Sequence, residues 1–274
     1  MLKIVAVAGV LGVAVVTATL LLAYQTWSHA ISEDIARITS GPPAGAFIVS
    51  EDELDDLPAP VQRYLRYSNV VGKPIPSRVR LAQRGRIRSD QDSTWMPFEA
   101  DEHFAISPPA FVWRASFPRR EWPIVLGRDE YIEGRGSIVM KLLSVYTIAE
   151  ETGAAMNPAS LIRYLNEMTW FPAAFVGPNI TWRAIDDSSA EVTIDDRGMT
   201  ANATMIFDAE GRPLNFRARR YHTASRQLQL WETPFTKWGQ LAGVNVPLSG
   251  KAIWRLPTGL VEYIELEVAS LEYD

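Results

Sequence analysis

Three hydrophobic rhythms succeed one another along this chain. Residues 4–24 (IVAVAGVLGVAVVTATLLLAY) are uncharged and almost wholly apolar, about the length a helix needs to cross a bilayer core. Residues 50–67 then show spacings near 3.6. Ser50 and Glu53 have capping-box spacing, and Val61, Tyr64 and Leu65 share a face opposite Gln62, Arg63 and Arg66. From residue 78 the period drops to two: Val79, Leu81 and Ile87 alternate with Arg78, Arg80, Arg84, Arg86 and Arg88. Residues 95–106 continue in that mode, with Met96, Phe98, Ala100 and Phe104 opposite Glu99, Asp101 and His103. Further strands are expected over 110–117, 122–127 and 130–133, while 137–148 suits a strand or a helix equally well.

The 3.6 period returns once. Residues 157–176 predict a helix, with Asn157 as its N-cap, Pro158 at the first helical position and Pro172 ending it. Leu161, Ile162, Leu165, Met168 and Phe171 form its apolar stripe, and Arg163, Asn166 and Glu167 fall on the other side. Strands follow over 181–185, 190–194, 201–207, 214–221, 227–231, 250–256 and 261–273, separated by Asp-, Ser- and Gly-rich turns. Strands about ten residues apart with tight turns describe an antiparallel meander, closed as a sandwich, a barrel or a curled open sheet.

Three segments are expected: a transmembrane anchor at 1–27, a tether at 28–49 containing Ser40-Gly41-Pro42-Pro43, and a β-rich domain at 50–274. The apolar run is longer than a cleaved leader requires. Lys3 and the amino terminus precede it and Glu33 and Asp34 follow, so the positive-inside tendency places the domain outside the cytoplasm, on a bacterial cytoplasmic membrane.

Composition adds exclusions. The absence of cysteine excludes disulfides, thiol catalysis, iron–sulfur clusters and lipid attachment through Cys. A formal charge of −5 speaks against a nucleic-acid partner. The three histidines have no metal-ligand spacing, there is no Gly-x-Ser-x-Gly elbow, and Gly134-Arg135-Gly136-Ser137 lacks the remaining glycine and lysine of a phosphate loop, so no catalytic residue, metal or cofactor is assigned and the chain leans away from an enzyme.

Binding candidates remain. Arg80 and Arg84 lead an arginine face that, with Arg217, Arg219 and Arg220 as a second basic cluster, suits anionic head groups, or else cross-strand pairing with Glu99 and Asp101. Arg163 and Glu167, one helical turn apart, form a surface pair or, if sheet encloses the helix, polar groups inside a pocket. Tyr164, Trp170 and Phe171, with Trp113, Trp182 and Trp254, are core aromatics or the wall of an apolar ligand site.

The blocks LPAPVQRYLRYS, EYIEGRGSIVMKLLSVYTIAEETG, ASLIRYLNEMTWFPAAF and DAEGRPLNFRARRY, with the segment from TKWG to the C-terminus, resemble a family of uncharacterised bacterial membrane-anchored proteins known by a domain-of-unknown-function label. The resemblance covers residues 50–274 and brings no activity. The order of strands around one helix is also similar to periplasmic lipoprotein carriers of the Lol type, without their lipobox cysteine, and implies a curled sheet wrapped around helices and an apolar cavity. The expected fold is therefore mainly β (α+β): a curled antiparallel sheet or half-open barrel with a central helical insert, preceded by one transmembrane helix. The expected function is binding of an apolar or amphiphilic ligand such as a lipid at a membrane. The alternative is a structural or protein-interaction module of the cell envelope, with an enzyme third.

Overall fold

The computed structural model describes residues 2–41, 47–119 and 122–274. Among these residues, fourteen strands form one antiparallel sheet. The first block is a meander of neighbours, β1 (Arg78–Ile87), β2 (Met96–Ala105), β3 (Ala110–Arg119), β4 (Trp122–Ile132), β5 (Arg135–Leu142) and β6 (Tyr146–Thr152). The second holds β7 (Ile180–Asp186), β8 (Ser189–Asp196), β9 (Met199–Phe207), β10 (Pro213–His222), β11 (Gln227–Glu232), β12 (Phe235–Leu241), β13 (Val244–Leu256) and β14 (Gly259–Tyr273). The order β6-β5-β4-β3-β2-β1-β14-β13-β11-β10-β9-β8-β7, with β12 on β13, joins the blocks where the first strand meets the last. The result is the expected curled half-barrel.

This order makes the middle of the chain travel from one sheet edge, β6, to the other, β7. It does so as α3 (Met156–Glu167) followed by tight turns at Met168–Trp170 and Pro172–Val176. The helix packs on β4, β5, β9 and β10, so it crosses the concave face and bridges the two halves. Close approach is possible because Gly136 of β5 has no side chain: a Cβ there would lie 2.7 Å from the Met156 carbonyl oxygen. Asn157 does not cap its own helix, whose N-cap is Ala155; its Oδ1 accepts the Gly136 N–H at 3.0 Å and ties helix to sheet instead.

The strand expectations need three revisions. The two strands expected within 122–133 are one, Trp122–Ile132, and 137–148 falls in the β5–β6 hairpin, turned at Leu143 and Ser144, both at positive φ. β12 and the first half of β13 were not anticipated, because Gly239, Gly243 and Pro247 break the alternation there.

At the N-terminus, α1 (Leu2–Thr39) runs on through the first part of the segment expected to be a tether; residues 42–46 of that segment lie outside the described residues. The helix persists because the convex face of the sheet receives it. Trp27 and Ile31 bury against Val112, Leu126 and Val139, Arg128 Nη1 donates to Asp34 Oδ2 at 2.8 Å, and Lys141 Nζ sits 5.1 Å from the Trp27 ring centre. Ile35 and Thr39 lie beside Arg78 and Arg80, whereas Tyr24 and Trp27 lie beside Arg84 and Glu99. Read toward its N-terminus, α1 thus leaves the sheet where β1 finishes, and its exposed apolar stretch, including Val10, Val13, Val16 and Leu22, projects beyond that end. It is the one described helix long and apolar enough to cross a membrane.

Candidate functional site

The space between the concave face and α3 is only partly filled. The main core packs α2 (Ala59–Tyr67), one side of α3 and the strands of both blocks around Tyr64, Phe104, Phe111, Leu161, Leu165 and Phe207. On the other side of α3 a cavity of about 400 Å³ remains. One wall is a small apolar cluster of Phe98, Phe117, Trp113, Met140, Ile264 and Leu266. Trp231, Trp254 and Tyr263 line a second wall, and Met156, Arg163, Asn166, Glu167 and Trp170 line the helix side. Alternation puts every second residue of these strands inside, and Gly127 keeps the β4 floor open: a Cβ there would already meet the Phe117 and Trp113 rings at 3.3 and 3.4 Å.

Arg163 enters this space from α3. Its Nη2 donates to Glu102 Oε1 at 2.8 Å, its Nη1 to Asp129 Oδ2 at 2.5 Å and its Nε to Glu167 Oε1 at 2.9 Å. The guanidinium also lies 4.9 Å from the Phe111 ring centre and 5.2 Å from that of Trp113. Gln83 Nε2 donates to Glu102 Oε2 at 3.0 Å, and Trp113 Nε1 donates to Gln83 Oε1 at 3.1 Å, extending the network into the wall. Three carboxylates around one cation carry surplus negative charge. Burial, reinforced by the neighbouring Glu167, therefore pushes the Glu102 pKa well up, and Arg163 only partly offsets this. Burial likewise raises Glu167. For Arg163, burial opposes the charge, but Glu167, Glu102 and Asp129 outweigh it and raise its pKa. The position a metal ion would take among the three acids is filled by the guanidinium.

A second arginine stands on the facing wall. Arg220 is 7% exposed, its Nε donates to the Ala159 carbonyl at 2.9 Å, and its guanidinium lies 4.7 and 5.8 Å from the Trp231 and Trp254 ring centres. Trp231 Nε1 donates to the Tyr263 hydroxyl at 3.0 Å. His222 lies against Trp254 at the rim, and burial, followed by the Arg220 charge, holds its imidazole below the usual pKa.

Of the residues expected from sequence, Arg163, Glu167 and Trp170 meet in this cavity with Trp113 and Trp254. Arg163 and Glu167 are enclosed, not a surface pair, because sheet surrounds the helix. Tyr164 points into the main core, where its hydroxyl donates to the Ala105 carbonyl at 3.1 Å. Phe171 borders a separate depression of about 380 Å³ beside Val70, Ala173, Val244 and Tyr273. Trp182 packs on Phe175. Arg80 and Arg84 lie on the convex face in exposed ion pairs, Arg80 with Asp101 at 3.3 Å and Arg84 with Glu267 at 3.0 Å. Their partners come as much from β14 as from the expected β2, since β1 sits between the two.

Asp129 was not anticipated, and Glu102 and Arg220, which the sequence offers only within an acid/base run and a second basic cluster, were not assigned to this cavity, yet both carry a local signal. Glu102 shares the inward phase of Phe98, Ala100 and Phe104, and Arg220 that of Phe216 and Ala218. A charged residue in the apolar phase of a strand marks a buried polar site.

The sequence matches the family of unknown function DUF6544 over residues 47–266. No curated protein matches it. Among solved structures, it is similar to a LolA superfamily protein from Nitrosomonas europaea at 12% identity and a TM-score of 0.44, over 78% of this chain and 93% of that one. A DUF1329 family protein from Desulfovibrio piger gives 9% identity and a TM-score of 0.46 over 79% and 92%. The Mycobacterium tuberculosis lipoprotein LppX gives 12% and 0.25 over 77% and 92%.

Proposed function

The chain belongs to the DUF6544 family of unknown function, and we propose that it binds an apolar or amphiphilic ligand, such as a lipid, in the cavity between its half-barrel and α3 while α1 holds it at a membrane. The observation that carries this reading is the cavity itself. About 400 Å³ of space walled by Phe98, Trp113, Phe117, Trp231 and Trp254 falls within the usual range for small-molecule sites, and a protein interior otherwise closes such space at close packing. Placement supports it as well. Ile87, Phe98 and Phe117 of the cavity wall lie at the end of the sheet from which the apolar stretch of α1 projects. The β5–β6 hairpin, with Leu143, Val145 and Tyr146 exposed, lies beside Trp27 through Lys141. In this reading the amino terminus is cytoplasmic and the cavity faces the outer surface of a bacterial cytoplasmic membrane, from which an amphiphile could enter directly.

Native mass spectrometry of the full chain, released from nanodiscs of its host's lipids after stringent delipidation, tests the proposal. A retained amphiphile of one chemical class is expected. An empty chain that also fails to take up added octanol would overturn it. A docking role for an envelope protein draws on that same exposed hairpin; Tyr146→Ser with Ile148→Ser would abolish such docking and leave cavity binding intact.

A further inference from the structure

We propose that Arg220 is a head-group site of this cavity, taking the anionic oxygens of an amphiphile whose chain lies along the apolar wall; this rests on the ligand-binding reading above. Arg220 is more than nine-tenths buried, yet only its Nε has an acceptor among the described residues, the Ala159 carbonyl. Its two terminal nitrogens, four N–H donors, meet no carboxylate there. An unpaired buried charge is costly, and the two tryptophan faces that flank it stabilise the cation without satisfying those donors. Arg163, in the same cavity, has every nitrogen engaged by a carboxylate. Among the described residues, the acids of that cluster pair with Arg163 and none lies within ion-pair distance of Arg220. Carboxylate and phosphate both match the planar fork of a guanidinium.

Tyr263 completes the site. Its hydroxyl accepts from Trp231 Nε1, which leaves its own proton available to an anion beside Arg220. The ligand class is therefore an amphiphile with a carboxylate or phosphate head, joined to an apolar chain facing Phe98, Phe117, Ile264 and Leu266.

The test titrates octanoate, octyl phosphate and octanol into the full chain in nanodiscs, read by intrinsic tryptophan fluorescence and corrected for empty nanodiscs. Wild type is expected to bind at least one anionic probe roughly ten- to a hundredfold more tightly than octanol, and Arg220→Gln to lose that preference while still binding octanol. The octanoate and octyl phosphate arms decide between the two heads. Arg220→Lys, which keeps the charge without the fork, is expected to retain part of the preference. Equal affinity for all three probes in wild type would overturn the head-group assignment and leave the apolar site standing, a result that needs no variant to fold. An unchanged anion preference in folded Arg220→Gln would also overturn it. Failure of wild type to bind octanol or either anion would overturn the ligand-binding reading itself.

Discussion

Two arginines face the same cavity and are treated in opposite ways. Arg163, from the bridging helix, is surrounded by Glu102, Asp129 and Glu167, each within 2.9 Å. Arg220, from the β10 wall, has one carbonyl and two indole faces. The first is complete within the chain, and it links α3 to β2 and β4 across the concave face. It fixes where the helix sits and how far the cavity can close. The second is incomplete within the chain and is the feature that points to something from outside. Burial alone does not separate a structural charge from a binding charge; the partner count does.

The comparison breaks most visibly at Arg163. Arg163→Met removes the cation that pairs with three buried carboxylates and should cost about 3–5 kcal/mol, read as a large fall in the thermal midpoint of the full chain in nanodiscs. Arg220→Met, by contrast, removes a charge without orphaning an acid. Its midpoint should stay within about 1 kcal/mol of wild type, because the lost stacking on Trp231 and Trp254 is offset by relief of burial. Equal losses in the two variants would erase the distinction.

Protonation sharpens the same contrast. The folded chain holds the Glu102 proton more tightly than the unfolded chain does. The stability this contributes is fully present below the ordinary glutamate pKa and is lost as pH rises through the raised folded value. Glu102→Gln mimics the protonated state and should flatten that decline, sparing up to about 1.4 kcal/mol for each pH unit of the window crossed. Parallel pH profiles of variant and wild type would contradict the raised Glu102 pKa beside Arg163. The smallest effect is expected on the convex face. Arg84 and Glu267 are mostly solvent-exposed, so Arg84→Ala should change stability by less than about 1 kcal/mol, by chemical denaturation.

Much of the fold was legible in the chain. Period-two runs marked most strands, whereas the helix expected over 157–176 with Pro172 ending it stops at Glu167, and Pro172 opens the second of the two tight turns that follow. The hidden part was what the helix does. A stripe of Leu161, Ile162 and Leu165 implies one dry and one wet face, so Arg163 and Glu167 read most simply as surface residues. Only the edge-to-edge connection from β6 to β7 forces the helix under the sheet and buries both faces. The acids that meet Arg163 come from β2, β4 and the helix itself, and no local spacing joins those three places. Arg220 was the nearest miss. Arg217, Arg219 and Arg220 form one basic cluster in sequence, but only the third keeps the phase of Phe216 and Ala218.

The central claim is that the space under the half-barrel is a ligand site, and filling it tests this most directly. Ala252 lines the cavity from β13 and is nearly buried, so Ala252→Phe puts a ring into the space with little need for the walls to move. Tryptophan fluorescence of the full chain in nanodiscs, titrated with 8-bromooctan-1-ol, should show saturable quenching in wild type, through Trp113, Trp170, Trp231 and Trp254, and none in the folded variant. Saturable quenching of equal strength in both proteins would contradict the account.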